Sequence, residues 1–209
     1  MVETQRIPEI VNSIKSNYIK RKVFEPSEED VETIAAELID KLEISEHPVP
    51  IVSILKSIGF NIYISDMPSP NISGFILIDP TLMELHGTDK IISVSNRDDA
   101  ARQRFVLVHE FGHFLFDYNE SDNKVFFDTY NELKNDEDKE AIRSRFAAEI
   151  LMPPQLFENE YKKLFDCHYP KIDIVEQLIR NFGVNKKSIL KRYVELQLND
   201  SDRVGVYNI

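Results

Sequence analysis

One helix constrains this chain more than any other feature. Phe105, Val108, Phe111, Gly112 and Leu115 fall on nearly every side of a helical cylinder, so that helix must be buried. A fold built round it has to supply cover on several sides. It also has to accommodate His109, Glu110 and His113, which the same helix carries inside. Asn96 or Asp98 is the expected cap at its start.

Buried ionisable groups need partners. His109-Glu110-Phe111-Gly112-His113 has H-E-x-x-H spacing. That spacing sets the two imidazoles about 40° apart on one helical face, where their nitrogens can share an ion at about 2 Å. Glu110 lies one position round and can reach a water on that ion. The cation lowers the pKa of the water, and the carboxylate takes its proton, which is metal-assisted hydrolysis. Imidazole and carboxylate donors favour one zinc ion per chain, with manganese or iron as possible substitutes. The bland alternative is a pair of packed histidines at helical spacing.

A catalytic ion needs a third protein ligand, and the extended motif that ends in a third histidine is not here: Phe116 and Asn119 stand in its last two places. A carboxylate on the next helix is the natural donor. Glu140 fits best because Ser144, Ala147 and Leu151 continue its face as a small, mostly apolar stripe. Glu137, Glu149 and Asp117 compete, and an acidic helix start is ordinarily a solvated, dipole-favoured face.

The rest of the chain divides by period. Residues 8 to 22 have helical spacing and read as a separate leading helix, so residues 1 to 25 form an extension. Ser27 and Asp30 resemble a capping box that opens a second helix with Val31, Ile34, Ala35, Leu38, Ile39 and Leu42 inside. A short third helix runs from Pro48 and Pro50 to Gly59. Three extended runs follow, 60 to 65, 74 to 78 and 91 to 94, which make a small sheet. The stretch 72 to 78 is either an edge strand able to pair with an extended substrate or an ordinary core strand.

Residues 117 to 140 hold nine acidic residues against three lysines and read as an exposed connection. A helix from about Glu137 to Leu151 stops at Pro153-Pro154. Beyond it, residues 173 to 188 read as helix, glycine turn and helix start, reminiscent of a helix-turn-helix. The fold expected is α+β: a helical N-terminal part, a small β-sheet packed on the metal helix, and a helical C-terminal subdomain. The domains expected are the extension, a metallopeptidase domain over 26 to 156, and the C-terminal subdomain over 157 to 209.

The 209 residues suffice for a real core, and the formal net charge of -11 argues against a surface that coats nucleic acid or anionic membrane. Residues 162 to 198 alone carry a basic surplus, which leaves DNA contact open beside the simpler reading of a protein-binding or solvated face. No segment approaches membrane-spanning length and no secretory start is seen, so a cytoplasmic protein is expected. The single cysteine, Cys167, permits no internal disulfide and reads as a small buried hydrophobe.

The segment Arg102 to Leu115, followed by Phe146-Ala147-Ala148-Glu149-Ile150-Leu151-Met152-Pro153, resembles the ImmA/IrrE family of gluzincin-like metallopeptidases. The likeness extends upstream through Pro48-Val49-Pro50-Ile51, Leu55, Gly59 and Ile72-Ser73-Gly74 and covers about residues 30 to 195. It implies that a glutamate six residues before the segment's Phe is the third ligand, here Glu140. His109 and His113 are then the other ligands and Glu110 the base. Arg143 and Ser144 depart from the alanine and then asparagine or aspartate usual in the family, which puts a hydrogen bond to a ligand histidine in question.

The resemblance also implies a partner. Members typically cleave or inactivate a helix-turn-helix repressor of the XRE type and so relieve repression of phage, mobile-element or stress genes. Two rival functions stand beside it, a catalytically silent metal-binding regulator and a DNA-binding factor acting through the C-terminal segment. Tyr118, Tyr130, Tyr161, His168 and Tyr169 are candidates for the group that stabilises an oxyanion.

Overall fold

The computed structural model describes residues 4–21, 26–118, 125–127 and 137–198. The leading helix, α1 (Ile7–Arg21), puts Ile7, Val11 and Ile14 into the main hydrophobic cluster. Ser27 opens α2 (Glu28–Lys41) as its sequence indicates. The Ser27 hydroxyl accepts the Asp30 backbone N–H at 3.2 Å, and the Asp30 carboxylate accepts the Ser27 N–H at 2.9 Å. Val31, Ile34, Ala35 and Leu38 of α2 are buried. The short α3 (Ile51–Ser57) follows, and the chain then becomes extended.

The sheet holds β1 (Phe60–Ser65), β2 (Gly74–Ile78), β3 (Lys90–Ser95) and β4 (Val125–Phe127) in the order β1-β3-β2-β4. β3 pairs parallel with β1, Ile62 beside Ile92, and antiparallel with β2, Ile76 beside Ile92. β2 also pairs antiparallel with β4, so the stretch 72 to 78 is not an edge. Its buried Gly74, Ile76 and Ile78 are those of an internal strand. β4 falls inside the acidic stretch read as a connection; residues 119–124 and 128–136 of that stretch lie outside the described residues. The brief α4 (Met83–His86) links β2 to β3.

The helix that constrained the sequence, α5 (Ala100–Phe116), lies against β2 and β3 on one side and α6 (Glu137–Leu151) on another. Every residue from Val106 to Phe116 is buried. Its cap is Asp99, whose side chain accepts the Arg102 N–H at 2.8 Å, rather than Asn96 or Asp98. Residues 96 and 97 turn the chain out of β3, and the Asn96 amide is engaged by Asp66 at 2.8 Å. Phe146 of α6 packs 5.9 Å from Phe111 and edge-on 5.2 Å from Phe116. Gly112 permits this closeness, since a Cβ there would lie 3.3 Å from Phe146 Cδ1.

After Met152-Pro153 the chain continues as α7 (Pro154–Asp166), α8 (Lys171–Phe182) and α9 (Lys186–Glu195). Gly183 ends α8 in the left-handed region, φ 63°, and Asn185 caps α9, so the helix, glycine turn and helix expected from sequence are present. Leu178, Phe182 and Ile189 reach the core, and Arg192 is buried against Glu149 of α6 at 2.8 Å. Cys167 is exposed, contrary to the expectation of a buried hydrophobe. It sits at the C-cap of α7, where His168 at φ 62° turns the chain across the surface. The architecture is α+β, with helices packed against a small mixed sheet.

Candidate metal centre

The motif helix presents His109 and His113 on successive turns of one face, their ring centroids 5.1 Å apart. They are 5% and 6% exposed, and Glu110 between them is fully buried. The first turns of α6 bring Glu140 to the same face. Its Oε2 lies 2.9 Å from His109 Nε2 and its Oε1 3.5 Å from His113 Nε2. One ligand atom from each of the three lies within 4.8 Å of the others. Two imidazoles and a carboxylate are the donor set of an open catalytic zinc site, and the spread is within reach of a shared ion after small side-chain adjustment. Among the described residues no other group of three His, Cys, Asp or Glu side chains converges in this way.

The competing carboxylates are placed elsewhere. Asp117 lies behind His113, with Oδ2 2.7 Å from Nδ1, the nitrogen turned away from Glu140. Glu149 is 4% exposed and lies 2.8 Å from Arg192 and 2.9 Å from Arg145, a structural ion-pair network that ties α6 to α9. The Glu137 side chain is outside the described residues.

Behind the three site residues, Arg143 is wholly buried. Its Nε donates to Asp117 Oδ2 at 3.0 Å and its Nη2 to Asp117 Oδ1, while Nη1 donates to the Lys139 carbonyl at 3.3 Å. On the other histidine, Ser144 Oγ is 3.4 Å from His109 Nδ1, at the long limit of a hydrogen bond. The sequence raised the question of what orients the histidines when Arg143 and Ser144 replace the usual residues. At His113 the partner of Nδ1 is Asp117, itself paired with Arg143, and the signal in the sequence was Asp117, four residues beyond His113.

The electrostatics follow from these contacts. Burial pushes the Glu140 carboxyl up, but the hydrogen bond to His109 and the positive fields of His109, His113 and Arg143 outweigh it and hold the pKa below the ordinary value. Asp117 behaves alike: burial raises it, the hydrogen bonds and charges of His113 and Arg143 lower it further, and the net shift is down. Both groups are therefore carboxylates at neutral pH.

Of the oxyanion candidates, Tyr118 follows the C-cap of α5, its ring stacked 5.9 Å from Phe114 and covered by Lys15 Nζ at 4.3 Å. Tyr161 packs against Phe165 and Tyr193. His168 and Tyr169 are exposed beyond α7, and Tyr130 lies outside the described residues.

Residues 55–193 fit the family profile Peptidase_M78, described as an IrrE N-terminal-like domain, a span that includes His109, Glu110, His113 and Glu140. No curated protein matches the chain.

Proposed function

This chain belongs to the Peptidase_M78 family, of IrrE N-terminal-like domains, and on that premise we propose that it is a zinc-dependent peptidase that cleaves a specific regulatory protein. The observation that carries the reading is the convergence of His109, His113 and Glu140 beside the buried Glu110. In this account His109 and His113 hold the ion through Nε2 and Glu140 through a carboxylate oxygen. A bound zinc supplies Lewis acidity, activating water and polarising the scissile carbonyl. Glu110 accepts the proton of the attacking water and returns it to the leaving amine nitrogen.

The substrate we propose is a helix-turn-helix repressor of the XRE type, the partner implied by the resemblance to ImmA/IrrE enzymes. Cleavage then relieves repression. We place this reaction in the cytoplasm; among the described residues no helix is long and apolar enough to cross a membrane. Zinc is the ion the donor set favours, and manganese or iron is accommodated by the same ligands.

Glu110→Gln tests the mechanism, because it keeps the side chain's shape and removes the base. Incubated with the repressor, the wild type yields two fragments and the variant yields none while retaining its metal. Inactivation of the repressor by the variant without cleavage points instead to a regulator that acts by binding. The helix, turn and helix of α8 and α9, with Lys171, Lys186, Lys187 and Lys191 exposed, favour one further reading, DNA contact. It requires duplex binding at low salt that weakens steeply as salt rises.

A further inference from the structure

We propose that Asp117 and Arg143 are a positioning pair that orients His113 for metal binding, and that in this chain they carry the role Ser144 performs only weakly at His109. The proposal rests on the metal-site reading above for its affinity arm, and stands on its own geometry for the rest.

An imidazole can present Nε2 to a cation only if its other nitrogen carries the proton and the ring is held in plane with the ligand direction. Asp117 supplies an acceptor 2.7 Å from His113 Nδ1, which fixes the proton there and turns Nε2 toward Glu140. A lone aspartate at that point would itself be free to rotate. Arg143 removes that freedom. It reaches across from α6 with two nitrogens on the two Asp117 oxygens, and its guanidinium carbon lies 5.6 Å over the Phe116 ring. The planar fork on a planar carboxylate sets the rotation of Asp117, and with it the plane of the His113 ring.

Packing locks the arginine in turn. Gly112 leaves room for its stem, since a Cβ there would stand 3.4 Å from Arg143 Cγ. The Lys139 carbonyl takes its remaining nitrogen at 3.3 Å. Arg143 is one helical turn past Lys139 and three residues past Glu140, so one element places both the third ligand and the group that orients the second. At His109 the corresponding contact is the 3.4 Å approach of Ser144, so the burden of orientation falls on His113.

Two measurements test the pair. The first is zinc affinity by competition with a chromophoric chelator, for wild type, Asp117→Ala, Asp117→Asn and Ser144→Ala. We expect Asp117→Ala to weaken binding by about 10- to 100-fold and Ser144→Ala to change it by less than about threefold. Arg143→Met should weaken binding in the wild type yet add nothing to Asp117→Ala, because it acts through the aspartate. The second is the ring 15N signature of His113 in metal-free protein. It should show the Nδ1–H tautomer in wild type and lose that preference in Asp117→Asn, which keeps the shape of the side chain should the alanine variant not fold. Zinc affinity within threefold of wild type in folded Asp117→Ala overturns the proposal, as does an unchanged His113 tautomer in Asp117→Asn. The tautomer result holds even where the chain proves to bind no zinc, so failure of the metal reading and failure of this one are distinguishable.

Discussion

Gly74 opens β2 where the sheet meets α5, and replacing it with alanine puts the close approach of these two elements to the test. A Cβ built there stands 2.7 Å from the Ser93 carbonyl oxygen and closer still to Val106 Cγ1. Neither obstacle yields easily. Ser93 belongs to β3, held between β1 and β2, and a valine in a helix keeps essentially one rotamer. Reaching ordinary contact requires β2 to shift by about 0.7 Å from the Ser93 carbonyl and by about 1 Å from Val106, and overpacking of this kind costs about 1–3 kcal/mol. A backbone obstruction puts Gly74→Ala at the upper end, offset by about 0.4–1 kcal/mol from the stiffer unfolded chain. The net loss is about 2 kcal/mol, a fall in Tm of about 4–8 °C for a chain of this size. Gly87→Ala is the control. Its φ is +66° but nothing lies within 4 Å, so only backbone strain of about 1 kcal/mol applies. Melting curves of the metal-free variants check this, free of stabilisation by bound ligand. A Gly74→Ala protein that melts no lower than Gly87→Ala refutes the reasoning.

Three further outcomes are expected. Truncating the buried Arg192 to alanine leaves Glu149 in a dry setting with Arg145 as its remaining described partner. It should cost about 2–3 kcal/mol by denaturant titration, below the loss expected for a wholly unpaired ion, whereas a loss under about 0.5 kcal/mol contradicts the inward role of α9. Because Glu140 and Asp117 titrate lower in the folded protein than unfolded, their contribution to stability is present above about pH 4 and is lost as pH falls through the depressed values. Metal-free wild type should therefore lose stability on acidification below about pH 4 more steeply than Asp117→Asn, and parallel profiles argue against the charge pairing. Glu110→Gln should retain zinc while losing cleavage.

The site was more legible in the sequence than the surroundings that tune it. The two histidines and Glu110 follow from helical geometry alone, because i, i+4 spacing fixes a shared face whatever the fold. Glu140 needed the resemblance, since an acidic residue in a first helical turn has an ordinary explanation in the helix dipole. Alternation located β1 and extended apolar runs located β2 and β3 closely, yet β4 was invisible: three residues, Val125 to Phe127, in an acidic stretch carry too little pattern to register. The same omission left β2 open between an edge and a core reading, because the strand that covers its other side was not foreseen. The cap at Asp99 was missed by one position, since Asn96 is claimed by Asp66 across a distance of 30 residues that no local rule sees. Arg143 showed the same limit. A buried arginine reads from sequence as a departure from the family pattern, and its partner Asp117, 26 residues earlier, appears only when α5 and α6 are packed together.

The central claim is that one zinc ion sits among His109, His113 and Glu140. Metal content per chain by elemental analysis tests it most directly, on wild type and on Glu140→Ala purified without chelator or metal-affinity resin. About one zinc per wild-type chain and a large loss in the variant are expected. Full retention in the variant would contradict the assignment of Glu140, and absence of metal from both would contradict the metal centre itself.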